Sequence, residues 1–378
     1  MIRVAIVGTG SISTAHLDAY TRFADRCRVV ALVNNQTETA ERLKEKYRLD
    51  CRIYQDYKDL LEGDQVDLVS ICTPPFLHAS MSVDLLRAGI DVLVEKPMAL
   101  SLEECDRMLA AASESGSLLS VVGQNRFLDA SVKLKRTIES GLLGKVVHAQ
   151  VDSFWWRGSN YYDVWWRGTW ETEGGGCTLN HGVHHADMLQ WMIGMPQSVV
   201  AVIGNAAHPN SEVEDISMAI LSYADGSLAQ LTSSVVHHGE ERQIVIQGLD
   251  ARASLPWKVH ASRQSEQGFP LPEGNPELKR EIEQFAAGLA PLAYTGHEGQ
   301  IDDVLSAIET GSRKVGVDGY EGRKVIELVT AIYEASFTRR QVELPLTKDS
   351  LFYSREQIMS HSPRFHHKSD KSATIDYK

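Results

Sequence analysis

Residues 3–13 read Arg-Val-Ala-Ile-Val-Gly-Thr-Gly-Ser-Ile-Ser, and this stretch decides the fold of the first third of the chain. Its apolar, β-branched beginning predicts a strand, and the amphipathic stretch that continues to residue 23 predicts a helix. A strand, a Gly-x-Gly turn and a helix in this order are typical of dinucleotide binding, because the glycines let a pyrophosphate approach the backbone and the helix N-terminus attracts its charge. Ser13, at the third position of the pattern, is small enough to pack. We therefore predict a pyrophosphate-binding turn formed by Gly8, Thr9, Gly10, Ser11 and Ile12.

The pattern of strands and helices changes near residue 124. Before that point, apolar strands alternate with helices, which predicts a doubly wound parallel sheet. Beyond it, strands with alternating apolar and polar residues dominate, and Asp225-Gly226 predicts a hairpin turn between two of them. Helices are predicted at residues 179–193, 277–289, 300–310 and 320–338. We expect domains at residues 1–124 and 125–347 and a polar tail at residues 348–378, which is either unordered or packed on a neighbouring subunit.

Composition limits the kinds of protein that this chain encodes. With 378 residues, two domains are the default, and 43% hydrophobic and 23% charged residues are ordinary for a globular protein. The formal net charge of −12 argues against nucleic acid or an anionic membrane surface as the main partner. Five scattered cysteines, no signal-peptide pattern and no apolar run near ~20 residues predict a cytoplasmic protein that does not enter a membrane.

The stretch Ile90-Asp-Val-Leu-Val-Glu-Lys-Pro97 places a charged pair at the end of an apolar strand. Pro97 cannot donate to a sheet, so the strand should end there and leave Lys96 at the carboxyl edge. Open α/β sheets bind their ligands at that edge. Ser101-Leu-Glu-Glu104 predicts a capping box at the start of the following helix.

Asn34 and Asn35 follow the second predicted strand, where NAD-dependent enzymes usually carry an acidic residue for the ribose hydroxyls. No carboxylate is present here to repel a 2′-phosphate, and no adjacent arginine to bind one. The choice between NAD and NADP therefore stays open, with NAD favoured.

Asn180, His184 and Asp187 are spaced so that they share one face of the predicted helix at residues 179–193. Gly174 to Gly176 precede it and are expected to let the chain approach a ligand closely. The neighbouring His181 and His185 suggest a metal, but the sequence has neither an HExxH motif nor cysteines at the spacing of a closed site, so we expect no metal.

These motifs together resemble the glucose–fructose oxidoreductase, inositol dehydrogenase and rhizopine-catabolism (Gfo/Idh/MocA) oxidoreductases. The matching segments are Gly8-Thr-Gly10, Cys72-Thr-Pro-Pro75 with His78, Glu95-Lys-Pro97, residues 174–187 and residues 297–308. The resemblance implies a Rossmann domain, then a mixed domain with a large, mostly antiparallel sheet, and NAD(P)-linked oxidation of a secondary alcohol on a sugar, glycoside or cyclitol. It departs from the family pattern at Asn180, where an acid is frequent, and at Asn34.

The resemblance also implies roles for individual residues. Lys96 is expected to polarise the substrate oxygen, His184 to act as the base, and Asn180 to orient its ring. The expected cofactor contacts, besides the glycine turn, are Asn34, Asn35, Thr73, Pro74, Pro75, His78, Glu95, Lys96 and Gln124. The expected substrate contacts are Asn125, Arg126, Trp155, Trp166, Arg167, His181 and His184.

Three alternatives stay open at this point. Asp187 either assists His184 or joins a structural network, and His297 is either a site residue or a helix cap. The chain is expected to be a dehydrogenase, with an NAD-retaining, redox-assisted glycoside-cleaving enzyme and a non-catalytic sugar-sensing binder as alternatives. A dimer or tetramer of identical chains is expected from the open sheet face of the family.

Overall fold

A computed structural model describes residues 1–62 and 65–368. Its first part is a six-stranded parallel sheet in the order β3-β2-β1-β4-β5-β6, the order of a dinucleotide-binding Rossmann domain. Strands and helices alternate along it as β1 (Ile2–Val7), α1 (Ser13–Arg22), β2 (Cys27–Val33), α2 (Thr37–Tyr47), β3 (Arg52–Tyr54), α3 (Asp59–Glu62), β4 (Leu68–Ile71), α4 (His78–Arg87), β5 (Asp91–Val94), α5 (Leu102–Ser115) and β6 (Leu119–Val121).

The second part is built on an eight-stranded sheet in the order β13-β12-β11-β7-β10-β9-β8-β14. All its neighbouring strands are antiparallel except β7 and β10, which confirms the predicted fold class. Its elements are α6 (Asp129–Glu139), β7 (Val146–Phe154), α7 (Cys177–Asn180), α8 (Val183–Ile193), β8 (Ser198–Gly204), β9 (Ile216–Ser222), β10 (Leu228–Ser234), β11 (Arg242–Gly248), β12 (Ala251–Leu255), β13 (Lys258–Ala261), α9 (Pro276–Ala287), α10 (Gly296–Thr310), α11 (Gly319–Thr338), β14 (Val342–Glu343) and α12 (Arg355–His361).

The two parts share buried surface. Helix α10 packs its apolar side chains into the core beside α1, and α11 packs against α5 and β6 of the first sheet. The side chain of Gln300 in α10 donates to the carbonyl of Val121 at 2.7 Å and accepts from the amide of Gly123 at 2.9 Å. Helices that follow the second sheet in sequence therefore fix the end of the first sheet, where the chain crosses between domains.

The predicted capping box at the start of α5 is only half present. Ser101 accepts from the amide of Glu104 at 3.2 Å, as predicted. The carboxylate of Glu104, however, accepts from the amide of Leu100 at 2.9 Å and not from that of Ser101. The prediction of a reciprocal box was wrong, because the extended backbone before the helix brings the amide of Leu100 to the carboxylate.

The single helix predicted at residues 179–193 was also wrong. The chain forms the short α7, turns at His181 and Gly182, and starts again as α8. A Cβ at Gly182 would collide with Ser233, so this glycine lets the turn lie against β10. Asn180 and His184 therefore lie on different helices, and the spacing argument for one shared face does not hold.

The C-terminal tail, up to residue 368, packs on its own chain. Phe352 is buried against the core, and α12 starts with a reciprocal capping box between Ser354 and Gln357. For these residues, the alternative of an unordered tail was wrong, since an apolar and capped segment follows the polar residues. Residues 369–378 lie outside the described residues.

The five cysteines are all buried, and each is a free thiol. In the part of the chain that the structure describes, no helix is both long enough and apolar enough to cross a membrane.

Candidate active site at the domain boundary

Lys96 lies at the carboxyl edge of the parallel sheet, directly after β5. All four residues of β5 are buried, and Val94 is paired with Ile71 on one side and Val121 on the other. The Nζ of Lys96 donates to the backbone carbonyl of Asn180 at 3.3 Å, which reaches from the first domain into the second. Burial lowers the pKa of Lys96, and the adjacent Glu95 opposes that shift. The sheet thus places an ammonium group at the edge where ligands bind.

His184 comes from α8 in the second domain and lines a small cavity of about 20 Å³ together with Lys96 and Asn125. Burial lowers the pKa of His184 well below its usual value, and the charge of Lys96 acts in the same direction. The imidazole is therefore neutral near pH 7 and able to accept a proton. Lys96 of the first domain and His184 of the second therefore border the same cavity.

Asn180 supports this pair through its position and not through the ring of His184. Its side-chain amide donates to the carbonyl of Gly175 at 2.9 Å, and its own carbonyl accepts from Lys96. A carboxylate at this position would face the carbonyl of Gly175 without a proton to donate. The asparagine therefore fits a role in holding the glycine turn and the end of Lys96.

Gly174 to Gly176 are required by packing within the protein itself. A Cβ at Gly174 would collide with Leu100, one at Gly175 with Tyr333, and one at Gly176 with the carbonyl of Glu214. These glycines allow close packing of the chain on other parts of the protein.

Glu95 is the centre of a buried cluster that the sequence did not show. His16 of α1 lies with its Nε2 3.0 Å from the Glu95 carboxylate, and the Nε2 of His297 in α10 lies 3.6 Å from it. Burial alone would raise the pKa of Glu95, but the contacts with His16 and His297 hold it well below its usual value. The cluster therefore gives a charged carboxylate beside Lys96. His297 is not the cap of α10, because Thr295 occupies that position.

His78 is buried and joins two of the predicted cofactor segments. Its ring nitrogens lie 2.8 Å from the carbonyl oxygens of Thr73 and Pro97. The side chain therefore holds the Thr73-Pro74-Pro75 segment against the Glu95-Lys96-Pro97 segment. Through these two contacts, His78 holds the carboxyl ends of β4 and β5 together.

The glycine turn at the start of α1 fits the pyrophosphate of a dinucleotide. Gly8 has a φ of +93°, and a Cβ there would collide with the carbonyl of Cys72. A Cβ at Gly10 would meet no protein atom within 4 Å, which leaves space for a ligand beside the backbone. The buried Oε1 of Gln124, also a predicted cofactor residue, has no hydrogen-bond partner among the described residues. The residues present therefore fit a bound dinucleotide.

Asn34, the predicted ribose contact, donates its side-chain amide to the carbonyl of Gln36 and to Thr39 Oγ1 at 2.8 and 2.7 Å. Thr39 Oγ1 also lies 2.5 Å from Thr9 Oγ1 in the glycine turn. The exposed Asn35 follows directly. Asn34 thus ties the start of α2 to the glycine turn, in a position where an acid is more usual.

Arg126 is committed to a buried ion-pair network. Its guanidinium lies 2.6 Å from Asp187 and 2.9 Å from Glu321, and only 5% of the residue is exposed. Arg126 was predicted to bind a substrate hydroxyl, whereas in the structure its guanidinium N–H groups donate to the carboxylates of Asp187 and Glu321. The same contacts place Asp187 in the structural network, which was one of its two predicted roles.

Aromatic residues from residues 155–173, which we call the aromatic loop, surround His181. The rings of Trp155 and Tyr161 lie 5.7 and 5.6 Å from the imidazole, whose buried Nδ1 has no partner among the described residues. The guanidinium of Arg167 lies 4.0 Å from the ring of Tyr161 and 4.2 Å from that of Trp166. The loop brings Trp155, Trp166 and Arg167, all predicted substrate residues, to the neighbourhood of His181 and Tyr161.

Glu173 is a further site residue that the sequence reasoning missed. It is buried at the end of the aromatic loop, 3.1 Å from the Arg167 guanidinium, and accepts from the amide of Gly168 at 2.5 Å. Burial raises the pKa of Glu173 to about 7, against the opposing effect of Arg167. Its position directly before the three glycines was the available sequence signal.

The chain belongs to the Gfo/Idh/MocA oxidoreductase family. Residues 2–122 match the model of the family's NAD-binding Rossmann fold, and residues 135–344 match that of its C-terminal alpha/beta domain. The predictions of the family and of a nicotinamide cofactor are therefore confirmed, and NAD is the form that the family description names.

Known relatives act on several carbohydrates. The chain is 29% identical over 248 residues to 2,7-anhydro-N-acetylneuraminate hydratase of Mediterraneibacter gnavus, an alignment that covers 65% of this chain and spans 64% of that relative. It is 24% identical to D-glucoside 3-dehydrogenase of Escherichia coli, over 91% of this chain and 97% of that one. The WlbA dehydrogenase from Bordetella pertussis, solved with NADH and UDP-GlcNAcA, superposes with a TM-score of 0.78 and 30% identity, over 92% of this chain and 98% of that one.

Proposed function

We propose that the protein is an NAD-dependent dehydrogenase that oxidises a secondary hydroxyl group on a sugar ring to a ketone. The observation that supports this most directly is the meeting of Lys96 and His184 at one cavity, at the carboxyl edge of a dinucleotide-binding sheet. Oxidation of an alcohol requires a group that favours the developing alkoxide and a base for its proton. The ammonium and the neutral imidazole supply these two requirements.

In this proposal, the sugar hydroxyl lies between the Nζ of Lys96 and the ring of His184. Lys96 donates to the oxygen and stabilises its growing negative charge, while His184 takes the hydroxyl proton. A nicotinamide held by the glycine turn and the sheet edge would supply the acceptor for the hydride of the carbon that carries this hydroxyl. Asn180 positions Lys96 through its carbonyl, and Glu95 keeps a negative charge beside the ammonium.

The aromatic loop supplies recognition of the ring in this proposal. The faces of Trp155 and Tyr161 suit the CH groups of a sugar, and the unpartnered His181 Nδ1 suits one of its hydroxyl groups. Arg167 and Trp166 border the same space. Asn125, which lines the cavity with His184, is the proposed hydroxyl contact from the domain boundary.

A substrate panel tests the proposal. Hexoses, methyl glycosides, inositols, uronic acids and nucleotide-linked sugars are each incubated with NAD and with NADP, and the absorbance of the reduced nicotinamide is followed. At least one ring alcohol is expected to give a rise that depends on substrate concentration. Flat traces for the whole panel, with product mixtures that also lack a ketone, would contradict the proposal.

A second candidate is an enzyme that retains its NAD, oxidises the ring, eliminates a group and reduces the ring again. Two relatives named as hydratases of 2,7-anhydro-N-acetylneuraminate favour it. In that case, substrate disappears by mass spectrometry while the absorbance of reduced nicotinamide does not accumulate. The same panel therefore separates the two candidates.

We also propose that the chain forms a homo-oligomer through the outer face of the eight-stranded sheet. Five large apolar side chains on this face are about half-exposed or more: Val200, Val202, Met218, Ile220 and Leu228. A contiguous apolar face of this kind is typical of a subunit interface. Light scattering of the purified protein tests this, and a monomer at micromolar concentration would contradict it.

A further inference from the structure

The segment at residues 353–368, which we call the strap, connects the first domain to the aromatic loop. At its start, the carbonyl of Tyr353 accepts from the amide of Glu103 in α5 at 3.1 Å, and the guanidinium of Arg355 lies 3.7 Å from Glu104. Arg355 also donates to the carbonyl of Glu171 in the aromatic loop. Since α5 belongs to the Rossmann domain, the strap is fixed to one domain and contacts a loop of the other.

Further along, the strap follows the aromatic loop closely. The indole Nε1 of Trp170 donates to the carbonyl of Pro363 at 3.0 Å, and the amide of Phe365 donates to the carbonyl of Glu212 at 3.0 Å. In these two contacts, main-chain groups of the strap bind the side chain of Trp170, within the aromatic loop, and the carbonyl of Glu212, outside it. They place the end of the strap against the turn that carries Arg167.

Lys368 lies at the centre of that turn. Its ammonium donates to three backbone carbonyls of the aromatic loop, those of Tyr162, Val164 and Arg167, and the bond to Val164 measures 2.8 Å. An ammonium carries three donors, so this arrangement uses all of them. Charge-assisted hydrogen bonds of this kind are roughly twice as strong as neutral ones.

The loop that the strap holds is in contact with both parts of the candidate site. Its Tyr161 packs against His181, and its Trp165 lies with its ring 6.0 Å from that of Phe76, in the segment after Thr73-Pro74-Pro75. Arg167, whose carbonyl is bound by Lys368, is paired with Glu173 through its guanidinium. A displacement of this turn would therefore move side chains that border the substrate and the cofactor segment.

We propose that the strap positions the aromatic loop over the substrate and that Lys368 is its main positioning residue, an inference that rests on the proposed function in assigning the loop to a sugar. The strap lies beyond residue 344, where the match to the family's C-terminal domain ends. Sugar recognition in this proposal then depends on a segment outside the two matched ranges.

Hydrogen–deuterium exchange without substrate tests the positioning itself. The compared variants are a chain ending at Ser354, which lacks the strap beyond its first residues, and a control chain ending at Lys368, which keeps it. In the shorter chain, the hydrogen-bonded amides of Tyr161, Arg167 and Glu173 are expected to exchange about tenfold faster or more, while those of β5 keep their rates. Unchanged loop rates, or equal acceleration in β5, would overturn the proposal.

Lys368→Met, with Lys368→Arg beside it, extends the test to full-length protein. Lys368→Met is expected to raise the KM for the sugar about tenfold and to leave kcat within about twofold, because the loop moves and the reacting groups do not. Lys368→Arg keeps the charge and several donors and is expected to recover most of the affinity. A fall in kcat with an unchanged KM would contradict the inference.

The two measurements separate failure of the strap from failure of the proposed function. Faster loop exchange with no activity on any sugar would leave the strap standing and remove the dehydrogenase. If the unaltered protein oxidises a sugar, but loop exchange is unchanged in the shorter chain and the KM is unchanged in Lys368→Met, the dehydrogenase stands and the role of the strap is refuted.

Discussion

Lys96 and Arg167 are cations that the two domains bring to the site, and the protein holds them in different ways. Lys96 follows a buried strand whose backbone is hydrogen-bonded to a neighbour on each side. Arg167 lies in a loop and is held by Glu173 and by the faces of Tyr161 and Trp166. Main-chain hydrogen bonds of the sheet therefore set the position of Lys96, whereas contacts between side chains set the position of the Arg167 guanidinium.

This difference suggests a division of labour within the site. A sheet edge places a reacting group with little freedom, whereas a loop held by side chains can change its sequence without disturbing the sheet. We therefore expect changes at the sheet edge to affect the chemical step, and changes in the aromatic loop to affect substrate affinity and local stability. Variants of each region test this comparison.

The largest expected effect comes from Lys96→Met, which removes the ammonium and keeps the length of the side chain. We expect kcat to fall about 10³-fold, because a charge that stabilises the developing alkoxide is lost. The KM for the sugar should change less than threefold. Steady-state kinetics with the substrate found in the panel measure both constants.

Lys279→Met, a half-exposed lysine on α9, is the matched control and should keep the kinetics of the unaltered protein. If Lys96→Met retained kcat within tenfold, the assignment of the chemical step to the sheet edge would be refuted.

The next effect concerns Glu173, which is 1% exposed and has its pKa raised to about 7. A carboxyl group whose folded pKa lies above the unfolded value stabilises the fold below the unfolded pKa, and this stabilisation is lost as pH rises through the folded pKa. The rise of the pKa from its ordinary value of 4.5 to about 7 corresponds to about 3 kcal/mol in the free energy of unfolding. Glu173→Gln cannot ionise and should lack this pH dependence.

Urea unfolding between pH 4 and pH 8.5 measures this effect. Relative to Glu173→Gln, the unaltered protein should lose about 3 kcal/mol of unfolding free energy as the pH rises across that range. The exposed neighbour Glu171, changed to Gln, should leave the pH dependence as it was. If the free energy of unfolding changed with pH equally in Glu173→Gln and the unaltered protein, burial would not be what determines the pKa of Glu173.

The smallest effect is expected for Ser101→Ala, at the start of the helix that follows Lys96. Loss of the hydrogen bond from the amide of Glu104 should lower the free energy of unfolding by about 1 kcal/mol and leave kcat unchanged. Thr295→Ala is the matched control, because Thr295 caps α10 without a side-chain hydrogen bond. Chemical unfolding of both variants decides whether the cap acts on stability alone, and a drop in kcat for Ser101→Ala would show that it also positions Lys96.

Much of the first domain was predictable because its signals are local. The glycine turn, the end of β5 at Pro97 and the alternation of strands and helices depend on residues close in sequence. The hairpin at Asp225-Gly226 is confirmed, with a φ of +86° at Gly226.

The errors arose where distant residues decide the outcome. The turn at Gly182 depends on Ser233. Arg126 was predicted to bind substrate, but its partners Asp187 and Glu321 are remote in sequence. The capping box at Ser354 and Gln357 is a local signal, and it would have predicted α12.

The sequence by itself determined the family, the nicotinamide cofactor and the candidate pair Lys96 and His184, because strand ends and motifs are encoded in neighbouring residues. Only the tertiary structure decided that His16 and His297 keep Glu95 charged, that Glu173 is buried beside Arg167, and that the strap reaches the aromatic loop. The physical reason is that charge, burial and pKa depend on which groups are brought together in space, and His16 and His297, for example, are 281 residues apart in the chain.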